Sequence, residues 1–230
     1  DSKSFAEYAA KVRERGGAFM RVIESEFPHP VILSFYQLAL FAQYCGPMSE
    51  DERMTKLSTH DYALYPAFFM GMLDAASPET VFVDGNENAY YYHDSRPYLE
   101  AYHLITQGVL SLVEPGLRTK YRAQVQVGQA LYVDQYYGLR AQKVLGNYMT
   151  SDEQPKWFEH NVYWAMRTSD RYVWCYSERM NWWLDKDVPR GALEALQSGC
   201  DKANAGASLG FDLRPIAEAA SKRERGETTP

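Results

Sequence analysis

The chain has 230 residues, 46% hydrophobic and 23% charged, with 24 basic residues against 30 acidic and a net charge of -6. These proportions describe an ordinary globular chain, long enough for one sizeable domain or two small ones, and they exclude extensive disorder. A mildly acidic chain lacks the basic face that phosphate-backbone binding depends on, and no run of about 18 apolar residues occurs, so neither a nucleic acid nor a membrane is expected as a partner.

Read from the start, residues 4–24 carry apolar positions at helical spacing, interrupted at Gly16-Gly17. The run from Pro30 to Tyr36 (Pro-Val-Ile-Leu-Ser-Phe-Tyr) is short, apolar and opened by proline, and it predicts a buried strand. Residues 47–60 are polar and loop-like. Residues 61–76 predict a helix or ordered loop broken at Pro66. A second strand is expected at Thr80–Asp84, ending abruptly in Gly85-Asn86-Glu87-Asn88. Residues 96–120 then look helical, with Tyr98, Tyr102, Leu104, Ile105, Val109 and Leu112 on one face. A third strand is expected at Val125–Val133, ending at Asp134, followed by a helix over 152–169. The fourth is expected at Tyr172–Tyr176 and leads into Ser177-Glu178-Arg179. Residues 189–205 predict a last helix with Pro189 in its first turn. The tail, 221–230, is polar and expected to be frayed or disordered.

Short apolar strands alternating with helices indicate an α/β chain with a parallel sheet covered on both faces. Two architectures fit, an open doubly wound sheet and a (β/α) barrel or part of one. No Gly-x-Gly-x-x-Gly follows any strand, which removes the main support for a dinucleotide-binding open sheet. A complete eight-stranded barrel takes roughly 250 residues. Four strands therefore fit a half barrel, the later part of a (β/α) barrel, with residues 1–220 as one domain and 221–230 as a polar tail. A half barrel has two open sheet edges, which call for a second copy, as in a homodimer, or for the missing N-terminal half.

Polar chemistry gathers just past the strands. The second strand is followed by Asp84, Asn86, Glu87, Asn88 and Tyr90, the third by Asp134 and Tyr136. The fourth contains or precedes Trp174, Tyr176, Glu178, Arg179 and Trp182. In parallel α/β folds the carboxyl ends of neighbouring strands share one rim, so residues distant in sequence converge there. Cleaving a glycosidic bond needs two carboxyl groups, one to protonate the leaving oxygen and one to attack or activate water. Glu87 and Glu178 are the candidate pair, with Asp84 and Asp134 in reserve, although an Asp just past a strand also commonly caps a turn or helix. With 18 Tyr, 10 Phe and 5 Trp, 14% of the chain is aromatic. Flat rings with polar tips suit the C–H faces and hydroxyl rims of sugars. Asn86, Asn88, Tyr90, Tyr136, Trp174, Tyr176, Arg179 and Trp182 are the candidate substrate contacts, and core packing is the competing reading for the rings.

Other chemistries find less support. Cys45, Cys175 and Cys200 fit no metal-site spacing and read as free thiols, with one disulfide as the alternative. The five histidines form no His-x-x-x-His pair, and His93 reads as an exposed loop residue. The cluster from Asp84 to Asn88 lacks the spacing of an EF-hand calcium loop. No Gly-x-Ser-x-Gly elbow occurs. No cofactor or metal is expected. The chain opens at Asp1 without a signal peptide, which fits either export with the leader removed, to the periplasm or outside the cell, or a start that is not the natural one.

Two stretches carry a resemblance. Val81-Phe-Val-Asp-Gly-Asn-Glu87 with Tyr90-Tyr91-Tyr92, and Tyr172-Val-Trp-Cys-Tyr-Ser-Glu178 with Asn181-Trp182-Trp183, are similar to the C-terminal portion of TIM-barrel glycoside-hydrolase-like proteins. The resemblance spans roughly residues 17 to 200. It implies hydrolysis of oligo- or polysaccharide, or carbohydrate binding without catalysis on the same scaffold. In the large retaining superfamily the acid/base follows the fourth strand and the nucleophile the seventh. Glu87 and Glu178 would follow the sixth and eighth, a departure from that pattern.

Overall fold

A computed structural model describes residues 3–227 of the chain. The strands among them are β1 (Val31–Ser34), β2 (Val81–Asp84), β3 (Val125–Tyr132) and β4 (Tyr172–Tyr176). The helices are α1 (Phe5–Glu26), α2 (Glu50–Leu57), α3 (Tyr65–Ala75), α4 (Arg96–Thr106), α5 (Arg118–Gln124), α6 (Val133–Tyr136), α7 (Glu153–Thr168), α8 (Ala192–Asn204) and α9 (Arg214–Glu224). The strands pair in the order β1-β2-β3-β4, and every pairing is parallel. The α/β class and all four expected strands are therefore present. The strands are rich in Val, Ile, Leu, Phe, Tyr and Trp, which suits a pleated surface, but β2 and most of β3 are the buried ones: β1, expected from sequence to be a buried strand, leaves Val31 and Leu33 exposed, and β4 ends in an exposed Cys175 and Tyr176.

The chain divides into two compact units. The first comprises residues 1–85 and 101–127 and holds β1, β2 and the start of β3. Its core gathers Met20, Leu38, Phe69, Leu73, Phe82, Val109 and Tyr121. The second comprises residues 86–100 and 128–230. Its core gathers Tyr98, Leu131, Val133, Tyr136, Trp157, Phe158 and Val162 around the second part of β3. Register within this unit runs from Gly128↔Tyr172 to Tyr132↔Tyr176.

Helix boundaries differ from the sequence expectation where tertiary contact or capping intervenes. The Gly16-Gly17 pair does not interrupt α1. Both glycines are buried, and they let α1 cross α3 at backbone contact. A Cβ on Gly16 would sit 2.1 Å from the Phe68 carbonyl oxygen, and one on Gly71 would sit 1.9 Å from that of Arg13. The stretch 47–60 is not a loop throughout, because Ser49 caps α2 and accepts the Glu52 N–H at 3.2 Å. Three acidic residues in its first turn and a Glu52–Lys56 pair at 2.7 Å support this short polar helix. Pro66 opens α3 instead of breaking it, since the first turn has no use for its missing N–H. The expected helix at 96–120 is α4 followed by two 3-10 turns, Gly108–Ser111 and Pro115–Leu117, and then α5. Pro189 lies ahead of α8, which starts after a left-handed Gly191. Part of the expected tail is ordered: α9 runs to Glu224, and Arg223 clamps Glu153 at 2.8 Å. Residues 228–230 of that tail lie outside the described residues.

The glycine crossing makes a stability prediction. Gly71→Ala forces a methyl into a backbone and is expected to cost about 1–3 kcal/mol or more through overpacking. Gly116→Ala, where nothing lies within 4 Å of the added carbon, is expected to be near neutral. Urea unfolding midpoints of the two variants separate these outcomes.

Candidate functional site

The residues that could do chemistry lie in the second unit, at the carboxyl ends of β3 and β4 and on the turn that follows β2. Tyr132 and Tyr176 are register partners at the ends of their strands, and Ala130 and Trp174 are partners two residues earlier. Period-two alternation therefore puts Tyr132, Trp174 and Tyr176 on one face. Tyr90 packs on all three, with centroid distances of 4.8 Å to Tyr132, 5.2 Å to Trp174 and 6.2 Å to Tyr176, the last a stacked pair. Tyr132 and Tyr176 close the group at 5.3 Å. Such pairs are worth about 0.5–1.5 kcal/mol each beyond their burial, so the ring group is a stiff platform. The Arg140 guanidinium lies 5.3 Å from the Tyr132 centroid.

Two carboxylates border this platform. Glu178 accepts the Tyr132 hydroxyl at 2.9 Å through Oε1. Glu87 opens the 3-10 turn Glu87–Tyr91, placed there by a left-handed Asn86 at φ 41°. Asparagine tolerates that conformation better than most residues. Burial pushes the Glu87 carboxyl above its ordinary value. The phenols respond to the same surroundings. Burial first, and then the charge of Glu87, raise Tyr90. Partial loss of water raises Tyr176, and the charges of Glu178, Asp134 and Glu87 add to it. Tyr132 is pushed up to about 12 by burial and by its bond to Glu178. Both Glu87 and Glu178 thus act on the Tyr176 hydroxyl.

Asp134 is fully buried and works as scaffold. Its Oδ2 accepts the Glu178 N–H at 2.6 Å and its Oδ1 accepts the Ser177 hydroxyl at 3.3 Å. The loop after Glu178 folds on itself: Ser177 Oγ accepts from Met180 N at 3.1 Å, and Asn181 Oδ1 accepts from Trp183 N and Leu184 N. Asn181 and Lys186 then form an antiparallel bridge.

The other candidate residues distribute as follows. Asp84 belongs to the first unit, where its buried carboxylate accepts the Ala39 N–H at 3.1 Å. Tyr136, read from sequence as a sugar contact, is sealed in the core at 0% exposure, its hydroxyl accepting the Tyr132 N–H at 3.1 Å. Asn86 is also buried, and its amide donates to Gln129 at 2.7 Å. Asn86 sits in a turn and Tyr136 in the short helix α6, each just past a strand, where the alternation that sorts in from out no longer applies. Asn88 and Arg179 are exposed, and Trp182 is half-buried against the second core. Tyr91 and Trp183 are exposed. The three thiols are free. No group of three or more His, Cys, Asp or Glu among the described residues is arranged to hold a metal ion. No helix among them is long and apolar enough to cross a membrane.

Several positioning residues were not singled out from sequence. Gln129 links Asn86 to Thr168, bonding the threonine hydroxyl at 3.1 Å. Trp157 Nε1 and Asn161 Nδ2 both donate to the Tyr92 carbonyl, at 2.7 and 2.9 Å, and so pin the end of the Glu87–Tyr91 turn. A polar Gln inside an apolar strand was the one signal available for any of these.

Compared with known proteins, the chain matches no family model, no curated protein and no solved structure.

Two measurements test this account. Asp134→Ala leaves the Glu178 N–H without its acceptor and is expected to cost about 2–3 kcal/mol, with hydrogen exchange at the Glu178 amide accelerating at least as much as the global change. Glu87 has a folded-state affinity for protons above its ordinary one, so its contribution opposes stability as pH rises from about the ordinary value of 4.5 upward. Glu87→Gln is therefore expected to raise Tm at pH 7 by no more than about 3 °C, and the gain is expected to vanish below that ordinary value.

Proposed function

We propose that the second unit carries a carbohydrate-active rim that cleaves glycosidic bonds in oligo- or polysaccharide, with Glu87 and Glu178 as the carboxyl pair. The observation that carries the reading is that Tyr90, on the turn that Glu87 opens, packs on Tyr132 and Tyr176 while Tyr132 donates its hydroxyl to Glu178, so one ring platform borders both carboxylates, and neither is taken up by an ion pair among the described residues. Their environments differ in the way an acid and its partner require. Glu87 is desolvated and keeps its proton to higher pH, which suits the acid that protonates the leaving oxygen. Glu178 receives the Tyr132 O–H and offers its oxygens as acceptors, which suits the group that attacks or activates water. Tyr176 and the half-buried Trp174 supply apolar faces for a sugar ring, whereas Tyr90, read from sequence as a sugar contact, is buried beneath them at 5% exposure and serves as their support.

The scaffold part of the proposal is a (β/α) barrel of which this chain supplies half. The support is a wholly parallel sheet whose end strands, β1 and β4, each pair on one side only among the described strands. Edges of this kind are normally covered, by a second copy or by further strands.

A second reading is favoured by one feature. Tyr176 is 42% exposed and Trp183 94% exposed, so rings stand open to solvent where a hydrolase normally encloses its substrate. That suits binding of a polysaccharide surface without turnover.

The test is release of reducing ends from a panel of α- and β-linked oligosaccharides, with binding followed by calorimetry. Cleavage is expected, with kcat/KM reduced about 10²- to 10⁴-fold in both Glu87→Gln and Glu178→Gln while affinity holds. The anomer first released then reports retention or inversion. Binding without any turnover, lost in Tyr176→Ala and Trp183→Ala, would establish the second reading. Absence of both binding and turnover would overturn the carbohydrate assignment altogether.

A further inference from the structure

The first unit contains a cavity of about 360 Å³ between α1, α2, α3 and the segment 111–118. Its wall is mostly apolar, with Phe5, Met54, Leu57, Ala67 and Met70 among the lining residues. At about 30 Å³ per water, the space equals roughly a dozen waters, enough for a small organic molecule.

The few polar groups at the wall are not balanced. Three arginines, Arg13, Arg53 and Arg118, face two glutamates, Glu50 and Glu114. Arg13 is already committed, bonding Glu114 at 2.8 and 2.9 Å and Asp74 at 3.1 Å. Arg53 and Arg118 are different. Both are half-buried, and both are held by neutral carbonyls. Arg53 donates to Tyr44 and Gly46 oxygens at 2.9 and 3.3 Å, and Arg118 donates through Nε to the Val113 oxygen at 3.1 Å. Those bonds fix the guanidinium planes without neutralising their charge. In Arg118 they leave Nη1 and Nη2 uncommitted among the described residues. Glu50 is the one remaining carboxylate at the wall, and it is exposed on the first turn of α2.

We propose that this cavity binds a small amphiphile with an apolar body and a carboxylate head, the body lying among Phe5, Met54, Leu57 and Met70 and the head paired with Arg118 and Arg53. A planar guanidinium held at one edge is suited to a two-point bond with a carboxylate. An apolar pocket with a few convergent polar groups is the usual form of a small-molecule site. The proposal is independent of the carbohydrate reading and concerns residues of the first unit alone.

The experiment titrates the full chain, labelled with ¹³C-methyl methionine, with decanoate below its micelle concentration. Saturable one-to-one binding is expected, with the largest methyl shifts at Met54 and Met70 and none at Met149 or Met166. Arg118→Met keeps an apolar stem and is expected to weaken binding about tenfold, the loss typical of a charge-assisted bond. Decanol is expected to bind more weakly than decanoate by a similar factor, a comparison that needs no variant. Ala67→Leu, which narrows the cavity, is expected to weaken both. Equal affinity for decanoate and decanol, shifts confined to other methionines, no saturable binding, or tighter binding of decyl phosphate than of decanoate would each overturn the assignment.

Discussion

The candidate rim depends on one buried carboxylate. Asp134 stands two residues past Tyr132, and Glu178 stands two residues past Tyr176, the register partner of Tyr132. The two acidic residues thus stand at equal offsets past the ends of adjacent strands, and the shorter one reaches across to hold the backbone of the longer. A fully buried carboxyl group is tolerated only when its oxygens are well bonded, and here they take a backbone N–H and a hydroxyl. That grip sets where β4 leaves the sheet and therefore where the Glu178 side chain begins. Without it the loop from Ser177 to Lys186 would lose its backbone anchor and keep the Glu178–Tyr132 side-chain bond and the packing of Met180 and Trp182.

The turn carrying Glu87 is fixed by a separate set of contacts. Asn86 is bonded through Gln129 to Thr168, so the turn after β2 is tied to β3 and to the end of α7. Trp157 and Asn161 hold its far end through one carbonyl. Between these anchors Tyr90 is pressed onto Tyr132, Trp174 and Tyr176. The ring platform thereby joins the two acidic segments: one side of it rests on the Glu87 turn and the other on the strand that leads to Glu178. Loss of water at the platform explains why the Glu87 carboxyl is raised above its ordinary value and why Tyr90 resists ionisation.

The sheet was legible because the strands are short apolar runs with turn residues at their ends; the burial expected of all of them holds for β2 and most of β3 and not for β1, whose Val31 and Leu33 are exposed. What was not legible depended on partners distant in sequence. Gly16-Gly17 reads as a break when α1 is considered alone, and only the approach of Gly71 gives the pair its use. α2 was missed because Glu-Asp-Glu-Arg-Met-Thr-Lys-Leu shows almost no apolar face, although its Ser49 cap and acidic first turn were visible. The rim itself was half legible. That acidic and aromatic residues collect past the strands follows from sequence. Which of them are buried does not, because Asn86 lies beyond its strand in a turn, and Asp134 and Tyr136 in the short helix α6, where strand alternation no longer specifies the side.

The acidic residues separate by side-chain length and distance from the sheet. Asp84 is the last residue of its strand and Asp134 is two past the next, and both carboxylates turn back to accept a backbone N–H. Aspartate has one methylene, and in both cases the amide its short side chain reaches belongs to a neighbouring segment distant in sequence, Ala39 for Asp84 and Glu178 for Asp134. Glutamate has one more. Glu87 is three residues beyond β2 and Glu178 two beyond β4, and the extra carbon carries each carboxylate out of the scaffold bonding. In Glu178 the oxygen meets a phenol of the platform and not a backbone amide. The two kinds of acidic residue are therefore not interchangeable: Asp84 and Asp134 spend their oxygens on backbone amides, each within its own unit, and Glu87 is left half-buried and Glu178 exposed beside the ring platform.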